Sequence, residues 1–246
     1  MIEFKCNLCD TLNTQSESFS REGNQCSSCN SNSRLRYAAY IVQCLLEESV
    51  GKIGLGLSEN PSLAGYLKSR SVYINSFYHL PENDPLHFDL LNLKDKDIGT
   101  YDYMTSLDVF EHIPPPAKNA FIGAFNTLKP GGYLILSVPY TLGLETIEHF
   151  PNLYQFSLVR SFKEDQYILK NTTKAGEHEE FEDLIFHGGP GQTLEMRVFC
   201  EDHIQRLLTE SGFTEVKFWS ENFPEIGASF PEEWSRLISA KKPMLT

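Results

Sequence analysis

Four cysteines near the N-terminus restrict the fold more than any other feature of this 246-residue sequence. They form two Cys-x-x-Cys pairs, Cys6 with Cys9 and Cys26 with Cys29, separated by sixteen residues. Each pair can turn two thiolates toward one point, and two pairs complete the tetrahedral all-sulfur shell that Zn²⁺ favours. The spacing predicts a structural zinc ribbon over residues 1–33. Two disulfides or four unrelated thiols are the alternative.

The charge balance argues against a nucleic-acid partner. The chain has 21 basic and 33 acidic side chains, a formal charge of −12, and residues 1–33 carry two basic against four acidic ones. Phosphate contacts need Lys and Arg, so we expect no nucleic acid to bind. No apolar stretch reaches the roughly 20 residues that a membrane-spanning helix needs, and the first residues show no signal or transit pattern. These observations predict a cytoplasmic protein without a membrane partner.

The remainder of the chain, residues 34–246, alternates between two kinds of pattern. From Leu35 to Leu46 apolar residues recur at three- and four-residue spacing, which predicts a helix and places a domain boundary near residue 33. Short strand patterns then alternate with helical ones, as is typical of an α/β fold with a mainly parallel sheet. The strand patterns lie at Lys52–Leu57, Val72–Asn75, Tyr101–Leu107, Tyr133–Val138, Val216–Trp219 and Leu237–Lys241.

This regularity breaks down between Thr141 and Met196. The segment contains ten acidic and four basic residues, which accounts for half of the net charge. Long irregular stretches inside a compact domain are usually lids or binding loops. We therefore predict a lid or substrate insertion at about 141–196, with a solvated surface excursion as the alternative for its outer half.

The first predicted strand ends in a glycine-containing turn, Gly54 to Ser58. In parallel sheets the ligand lies at the carboxyl ends of the strands, above this turn. Gly56 would let the backbone approach a ligand closely, and Ser58 could donate a hydrogen bond. No G-x-G-x-x-G fingerprint follows, which disfavours a dinucleotide and a dehydrogenase. The second strand ends at Asn75, a weaker substitute for the acidic residue that commonly holds ribose hydroxyls.

Five segments together carry a resemblance to a known family. They are Gly56–Pro61 after the first strand, His87–Leu90, Ser106–Ile113 with its Glu-His pair, Leu128–Pro139 with its Lys-Pro-Gly-Gly turn, and Glu210–Phe213. In their order and spacing they resemble the class I S-adenosylmethionine-dependent methyltransferases, particularly those that act on small molecules. The resemblance covers about residues 50–140 and 197–241.

The resemblance implies a Rossmann-like fold: a seven-stranded, mostly parallel sheet with the last strand antiparallel and helices on both faces. It also implies that S-adenosylmethionine lies across strands one, two and four, and that the methyl group moves in line from a sulfonium to a substrate nucleophile. Asp108 is expected at the methionine end of the cofactor, or only as a cap of the following turn. The implied cofactor residues are Gly54, Leu55, Gly56, Ser58, Asn75, Asp89, Leu90, Ser106, Leu107 and Asp108.

Four residues are expected near the acceptor. His112 is the candidate general base, because the family segment places it at the methyl end of the cofactor and imidazole titrates near neutrality; ordering of the loop before Pro114 is the alternative. His187 lies on a Gly-rich loop that could close over a substrate or form an ordinary surface turn. Arg197 could pair with a substrate carboxylate or phosphate, or form a structural salt bridge. Tyr140 completes the predicted substrate residues.

Three hypotheses about function follow. The first is methyl transfer to a small-molecule acceptor, such as a sugar or a natural-product intermediate. The second is a degenerate methyltransferase fold that serves as a binding or scaffold protein, since Gly54 replaces the usual acidic residue, Ser58 replaces the second glycine and the ribose acid is missing. The third is methylation of ribosomal RNA, which the acidic ribbon and insertion disfavour.

Overall fold

A computed structural model of the chain describes residues 2–15, 20–46, 50–161, 166–229, 233–234 and 236–244. The helices are α1 (Ser33–Leu45), α2 (Pro61–Lys68), α3 (Lys118–Thr127) and α4 (Glu201–Glu210). The strands are β1 (Ile2–Lys5), β2 (Leu12–Gln15), β3 (Ile53–Leu57), β4 (Val72–Ser76), β5 (Tyr101–Leu107), β6 (Leu128–Ser137), β7 (Tyr140–Thr141), β8 (Ile147–Glu148), β9 (Gln155–Arg160), β10 (Tyr167–Thr172), β11 (His178–Phe181), β12 (Phe186–His187), β13 (Thr193–Leu194), β14 (Arg197–Cys200), β15 (Thr214–Phe218) and β16 (Ile238–Lys241).

The central sheet contains six of these strands in the order β15-β16-β6-β5-β3-β4. Strands β6, β5, β3 and β4 run parallel, whereas β16 is antiparallel to both of its neighbours, β6 and β15. The parallel sheet and the antiparallel last strand are as the resemblance implied. Each strand pattern found in the sequence lies on one of these strands, although β6 begins at Leu128, five residues earlier than expected.

The expected seventh strand is absent from the described part of the sheet. Beyond β4 there is a single parallel bridge, Phe77 with His87. Backbone donors in the following segment are used in local turns, from Asp84 to the Pro81 carbonyl, from His87 to that of Asp84 and from Asn92 to that of Asp89. Because these groups are satisfied locally, they are not available for a strand ladder.

Helices cover both faces of the sheet. On one face α1 and α2 pack over Tyr73 and Tyr103 in a core that also contains Trp219. On the other face α3 and α4 pack through residues such as Phe121 and Leu208. The parallel strands at the centre of the sheet are therefore covered on both sides, as is usual for parallel sheets, which leaves their ends as the place for a ligand.

The N-terminal module is joined to the sheet domain by α1. The side chain of Asn32 accepts a hydrogen bond from the Leu35 N–H and caps the helix, which begins at Ser33. The guanidinium of Arg36 is fully buried, lies over the Phe4 ring and donates to the carbonyl oxygens of Ile226 and Gly227. One side chain thus fastens the ribbon to a segment near the end of the chain.

The insertion is more regular than its sequence suggested. Strands β9, β10 and β11 form an antiparallel sheet in the order β11-β10-β9, and β12 pairs with β13. A small core of its own includes Phe150, Leu169 and Met196. The strands are hard to recognise in the sequence because every residue of β9 is exposed and β10 buries only Leu169 and Asn171, so burial requires an apolar residue at few of their positions. The described helices include none long and apolar enough to cross a bilayer.

Candidate functional site

The four cysteines of the ribbon converge on one point. The distance between the Cys6 and Cys29 Sγ atoms is 3.7 Å and that between the Cys9 and Cys26 Sγ atoms is 3.5 Å. A tetrahedron with zinc–sulfur bonds of about 2.3 Å has edges of about 3.8 Å, whereas a disulfide needs sulfur atoms about 2.05 Å apart. All four Sγ atoms lie within 4.8 Å of one another, so the spacing fits a metal ion and excludes the disulfide alternative for these thiols.

The two cysteine turns are built in the same way. In the first, the Cys6 N–H donates to the Thr11 carbonyl and the Asp10 N–H donates to the Cys6 carbonyl. In the second, Cys26 donates to Ser31 and Asn30 donates to Cys26. Asp10 and Asn30 have left-handed backbones, with φ of 62° and 57°, a conformation that Asp and Asn tolerate better than most residues. This repetition is typical of a two-turn metal ribbon.

At the carboxyl edge of the sheet, the turn after β3 is closed by the chain itself. The Ser58 N–H donates to the Ser76 carbonyl at 2.8 Å, and Ser58 has φ of 56°, the conformation that a glycine would adopt freely. The Asn75 amide accepts from the Glu59 N–H and donates to the Glu59 carbonyl, at 2.8 and 2.9 Å. Asn75, predicted near the ribose, therefore uses its amide to hold the turn.

The two glycines of β3 also serve packing. A Cβ at Gly54 would lie 2.2 Å from the Tyr103 ring, and one at Gly56 would lie 2.0 Å from the Tyr73 hydroxyl. The sequence predicted that the bare Gly56 backbone would lie against a ligand, whereas the structure fills that space with the Tyr73 side chain. Leu55, between them, is fully buried in the core.

Glu59 follows this turn and is almost completely buried. Burial raises the pKa of its carboxyl to about 8, against hydrogen bonds from Thr105 and the Leu107 backbone that lower it. Its Oε1 atom and the Ser106 hydroxyl, near the ends of β3 and β5, have no hydrogen-bond partner among the described residues. Buried polar atoms without partners at the carboxyl edge of a parallel sheet are the donors and acceptors that a ligand could satisfy.

Asp108, immediately after β5, is the most strongly paired carboxylate at this edge. Its Oδ1 lies 2.6 Å from Arg21 Nη2 and its Oδ2 lies 3.0 Å from Arg34 Nη1. The Ser137 hydroxyl donates to Oδ1 at 2.8 Å. Burial opposes ionisation of Asp108, but the two guanidinium groups outweigh it and lower its pKa. Both arginines come from the N-terminal module or its junction with α1, so the ribbon reaches the candidate cofactor edge.

Asp89 lies beyond β4, where the resemblance placed the adenine. Its carboxylate accepts from the Leu91 N–H and the Asn92 amide, at 2.9 and 2.7 Å. With Phe88 and Lys94 it lines a surface hollow of about 170 Å³. The bridge between Phe77 and His87 keeps this hollow next to the end of β4. Leu90 is buried and its carbonyl packs against Gly123 of α3.

The loop after β5 continues from Asp108 to a second cluster, contacted by the insertion. His112 Nδ1 bonds to the Leu194 carbonyl at 2.9 Å, and its ring meets the His187 ring edge to face, with centroids 4.7 Å apart. Glu111 is fully buried, and neither carboxylate oxygen has a hydrogen-bond partner among the residues described. Burial and the nearby Asp108 raise the pKa of Glu111 well above its usual range. The sequence-predicted pair His112 and His187 is thus brought together.

Two predicted substrate residues lie in the interior instead. Arg197 is fully buried; its Nε contacts Glu148 Oε1 at 2.7 Å and its Nη1 donates to the carbonyls of Phe110 and Ile113. This is the structural salt bridge that the sequence left open as the alternative. Tyr140 is buried, and its hydroxyl donates to the Glu233 carbonyl. Both side chains hold chain segments that surround the site.

Sequence reasoning missed several charged residues of the site. Arg21 and Arg34 have no motif, and they lie 87 and 74 residues from Asp108 along the chain. Glu111 was quoted in the Glu-His pair but given no role. Glu195, which lies 2.9 Å from both His149 Nε2 and His187 Nε2, gave no signal in the sequence. A partner that is distant in sequence cannot be inferred from local spacing.

Comparison with solved structures identifies the fold. The chain superposes on an amino pentose methyltransferase from Micromonospora echinaspora, solved with S-adenosylmethionine, with a TM-score of 0.50 and 14% identity over 85% of this chain and 90% of the other. It superposes on an S-adenosylmethionine-dependent methyltransferase from Mesorhizobium loti with a TM-score of 0.50 and 13% identity, over 84% and 99% of the two chains. The chain thus has the Rossmann-like fold of methyltransferases.

A curated group of relatives is similar in sequence. Residues of this chain are 26% identical over 143 positions to the ubiquinone biosynthesis O-methyltransferase of Acinetobacter baumannii strain AYE, covering 55% of this chain. The chain spans about half the length of the curated relatives it matches, 51%. No protein-family profile matches the sequence.

Proposed function

We propose that the protein is a methyltransferase that transfers the methyl group of S-adenosylmethionine to a small-molecule acceptor. One observation carries the proposal: the turns after β3, β4 and β5 present Ser58, Asp89 and Asp108 along one edge of a sheet with the methyltransferase strand order. Ligands of open parallel sheets bind at this edge. The similarity to O-methyltransferases and to an amino pentose methyltransferase supports the same class of reaction.

The residues of this edge fit the two ends of the cofactor. Asp89 and the hollow beyond β4 fit the adenosine end, since a carboxylate and an amide there can accept and donate hydrogen bonds. The methionine end carries an ammonium and a carboxylate, which Asp108 and the Arg21–Arg34 pair can match in charge. The orphaned Ser106 hydroxyl and Glu59 Oε1 add polar atoms between these ends. When bound, the cofactor supplies an electrophilic methyl group on a sulfonium.

In such a reaction the protein aligns the acceptor, excludes water and removes a proton from the acceptor. His112 remains our candidate base. Its Nδ1 faces a carbonyl oxygen and must donate, which leaves the lone pair on Nε2. Burial lowers the pKa of His112, so the imidazole is neutral and basic at pH 7. His187 and the insertion cover this side of the loop, and the acidic character of the insertion supports an acceptor other than nucleic acid.

The experiment is calorimetric titration of the full chain with S-adenosylmethionine and S-adenosylhomocysteine. The test variant is Asp89→Ala and the matched control is Asp84→Ala, because Asp84 also accepts a hydrogen bond two residues on, from the Leu86 N–H at 2.8 Å. Asp84→Ala loses this one turn contact, and Asp89→Ala loses its contacts with Leu91 and Asn92. We expect wild type and the control to bind in the micromolar range and Asp89→Ala to bind at least tenfold more weakly.

The outcomes separate the hypotheses. Binding of either ligand, lost in Asp89→Ala alone, supports the enzyme and justifies a screen of small acceptors with labelled cofactor. A folded protein that binds neither ligand at millimolar concentration overturns the proposal in favour of a scaffold, which the closed turn at Asn75 and the packed Gly56 would explain. Label recovered in RNA instead of small molecules would favour the third hypothesis.

For the N-terminal module we propose that residues 1–33 form a zinc ribbon attached to a catalytic domain over residues 34–246. The sulfur spacing and the paired cysteine turns support this proposal. All four positions of a tetrahedral shell would come from protein, which is typical of structural ions. Elemental analysis of purified protein should give about one zinc per chain at the cysteines, and its absence from folded protein would refute the assignment.

A further inference from the structure

We propose that Glu111, His112 and His187 form a second metal centre, one that binds a divalent transition-metal ion at the mouth of the insertion. Each of these residues offers a ligand atom, and the three atoms lie within 4.8 Å of one another. The site is separate from the four cysteines in ligand type and in place, because it joins the loop after β5 to β12 of the insertion.

The first argument is distance. His112 Nε2 lies 3.6 Å from Glu111 Oε1. Two ligands that each bind one ion at about 2.0 to 2.2 Å lie about 3.0 to 3.5 Å apart. The observed gap is too long for a hydrogen bond and close to what two ligands of a shared ion require. A small movement of either side chain would close the shell.

The second argument is the state of Glu111. Its side chain is fully buried, and neither oxygen finds a donor within the described parts of the chain. A buried carboxylate without a partner is costly, so such groups are normally paired or bound to a metal. The nearby Arg197 does not serve this purpose, because its Nε and Nη1 donate to Glu148 and the backbone and its Nη2 makes no hydrogen bond to Glu111 in the described part of the chain. A cation between Glu111 and the histidines would supply the missing partner.

The third argument is the arrangement behind the histidines. His112 Nδ1 is bonded to the Leu194 carbonyl, and His187 Nε2 is bonded to Glu195 Oε2, each at 2.9 Å. Histidines that bind metals almost always direct their second ring nitrogen to a carbonyl or carboxylate, which fixes the tautomer and the ring. These contacts leave His112 Nε2 and His187 Nδ1 as the atoms with free lone pairs. The other Glu195 oxygen is held by His149.

The donor set indicates the class of ion. Two imidazoles and one carboxylate suit Zn²⁺, Fe²⁺, Co²⁺ or Mn²⁺, and three protein ligands leave positions open for an external oxygen. The inference goes beyond the proposed methyl transfer and does not depend on it. Where the two are combined, a bound ion takes the Nε2 lone pair of His112, and an acceptor hydroxyl on that ion would lose its proton more readily. His112 is then a ligand instead of the general base.

The test is titration of the full chain, with zinc at the cysteines, by Co²⁺. Cobalt bound by imidazole and carboxylate gives weak visible absorption without the intense sulfur-to-metal charge transfer of a thiolate site, so the two sites are distinguished in one spectrum. The variants are Glu111→Gln and His187→Gln, with His178→Gln as the control, since His178 is an exposed histidine bonded only to Thr172 in the described contacts. No methyl donor is present, so the result is independent of cofactor binding.

We expect one equivalent of Co²⁺ per chain in wild type and in the control, with weak bands only, and a loss of affinity of at least about 100-fold in both variants. Glu195→Gln, which alters the support of His187, should weaken binding by about 10- to 100-fold. The melting temperature should rise with Co²⁺ in wild type and stay constant in Glu111→Gln. A wild-type protein that takes up no ion beyond the cysteine site, or equal affinity in wild type and Glu111→Gln, overturns the proposal.

Discussion

The N-terminal ribbon and the insertion both contact the loop after β5, one at each end. They differ in the partners that they bring to the carboxyl groups of the loop. At Asp108 the ribbon side supplies two guanidinium groups to one carboxylate. At Glu111, three residues further on, the insertion brings the His187 imidazole close and leaves the carboxyl group without a donor among the described residues. The charge at one end of the loop is paired within the chain, whereas the carboxyl group at the other end has no partner among the described residues. Two carboxyl groups of one loop therefore differ in whether the chain itself supplies their partners.

The largest effect should come from disrupting the metal site that we propose for the ribbon. Cys9→Ser breaks the four-sulfur shell, and structural zinc in small modules contributes on the order of 10 kcal/mol to folding. We expect the ribbon to unfold, to release Arg21 from Asp108 and to lower the melting temperature by on the order of 10 °C. Zinc content and thermal unfolding measure this result. Cys44→Ser is the control, because Cys44 is exposed and outside the cluster; equal stability of the two variants would contradict the structural role.

The next effect tests whether Arg34, which pairs with Asp108, also keeps the nearby Glu59 ionised. The folded-state pKa of Glu59 is about 8, above its ordinary value of 4.5. The folded protein therefore holds an extra proton between these pH values, and its stability falls as pH rises from about 4.5 to about 8.

Glu59→Gln removes this pH dependence and should stabilise the protein by on the order of 4 kcal/mol at pH 8, since each pKa unit between 4.5 and about 8 corresponds to about 1.4 kcal/mol. Urea unfolding of wild type and variant between about pH 4.5 and pH 8 gives the difference in their free energies of unfolding. Other titrating groups contribute equally to both proteins and cancel in this difference. If the stabilities of wild type and Glu59→Gln depend on pH in the same way, Glu59 is ionised in the folded protein and the expectation is wrong.

Asp108→Asn tests the paired end of the loop directly. It leaves Arg21 and Arg34 without their carboxylate, and their side chains are only 12% and 15% exposed. Breaking a partly buried pair should cost about 2 kcal/mol, below the value for full burial because solvent screens these groups. Glu210→Gln is the matched control: it breaks the exposed pair with Lys118 and should cost below about 1 kcal/mol. Equal losses of stability in Asp108→Asn and Glu210→Gln, measured by urea unfolding, would show that the Asp108 pair contributes no more than an exposed ion pair.

The smallest effect is expected at the junction of ribbon and sheet domain. Asn32→Ala removes the side-chain acceptor of the Leu35 N–H at 2.9 Å, and loss of such a cap costs about 1 kcal/mol. Asn60→Ala removes the equivalent acceptor at the start of α2, from Ser62 at 2.9 Å, and is the matched comparison. If α1 links the ribbon to the site, only Asn32→Ala should also weaken cofactor binding, measured by calorimetry.

The sequence predicted the parts of the molecule whose signal is local. The cysteine spacing placed four sulfurs together, and strand patterns such as Tyr101–Leu107 matched the observed strands because aromatic, β-branched and other apolar residues recur along buried strands. The prediction of a seventh strand was wrong, because local turns around Asp84 and Asp89 use the backbone donors that a strand would need. The order within the insertion was missed because β9 exposes every side chain.

The candidate site was predicted less completely, and for a different reason. His112 was found through a motif, but Glu111 beside it gains its character from burial, which a single sequence does not reveal. For Arg197 the sequence left a substrate contact and a structural salt bridge open, and the side chain lies in the interior, where its Nε and Nη1 contact Glu148 and the loop carbonyls. Asn75 and Gly56 show the same ambiguity, because a residue that supports a binding turn carries the same sequence signal as one that contacts the ligand.

The buried guanidinium of Arg36 has a consequence for how the protein is made. It bonds to carbonyls of the ribbon, including that of Asn24, and to the carbonyl of Gly227, 191 residues away along the chain. A ribosome completes the ribbon early and the Gly227 segment late. The ribbon can fold while synthesis continues, but it cannot reach its docked position until the Gly227 segment has emerged, so the candidate site is completed only after that segment has been made.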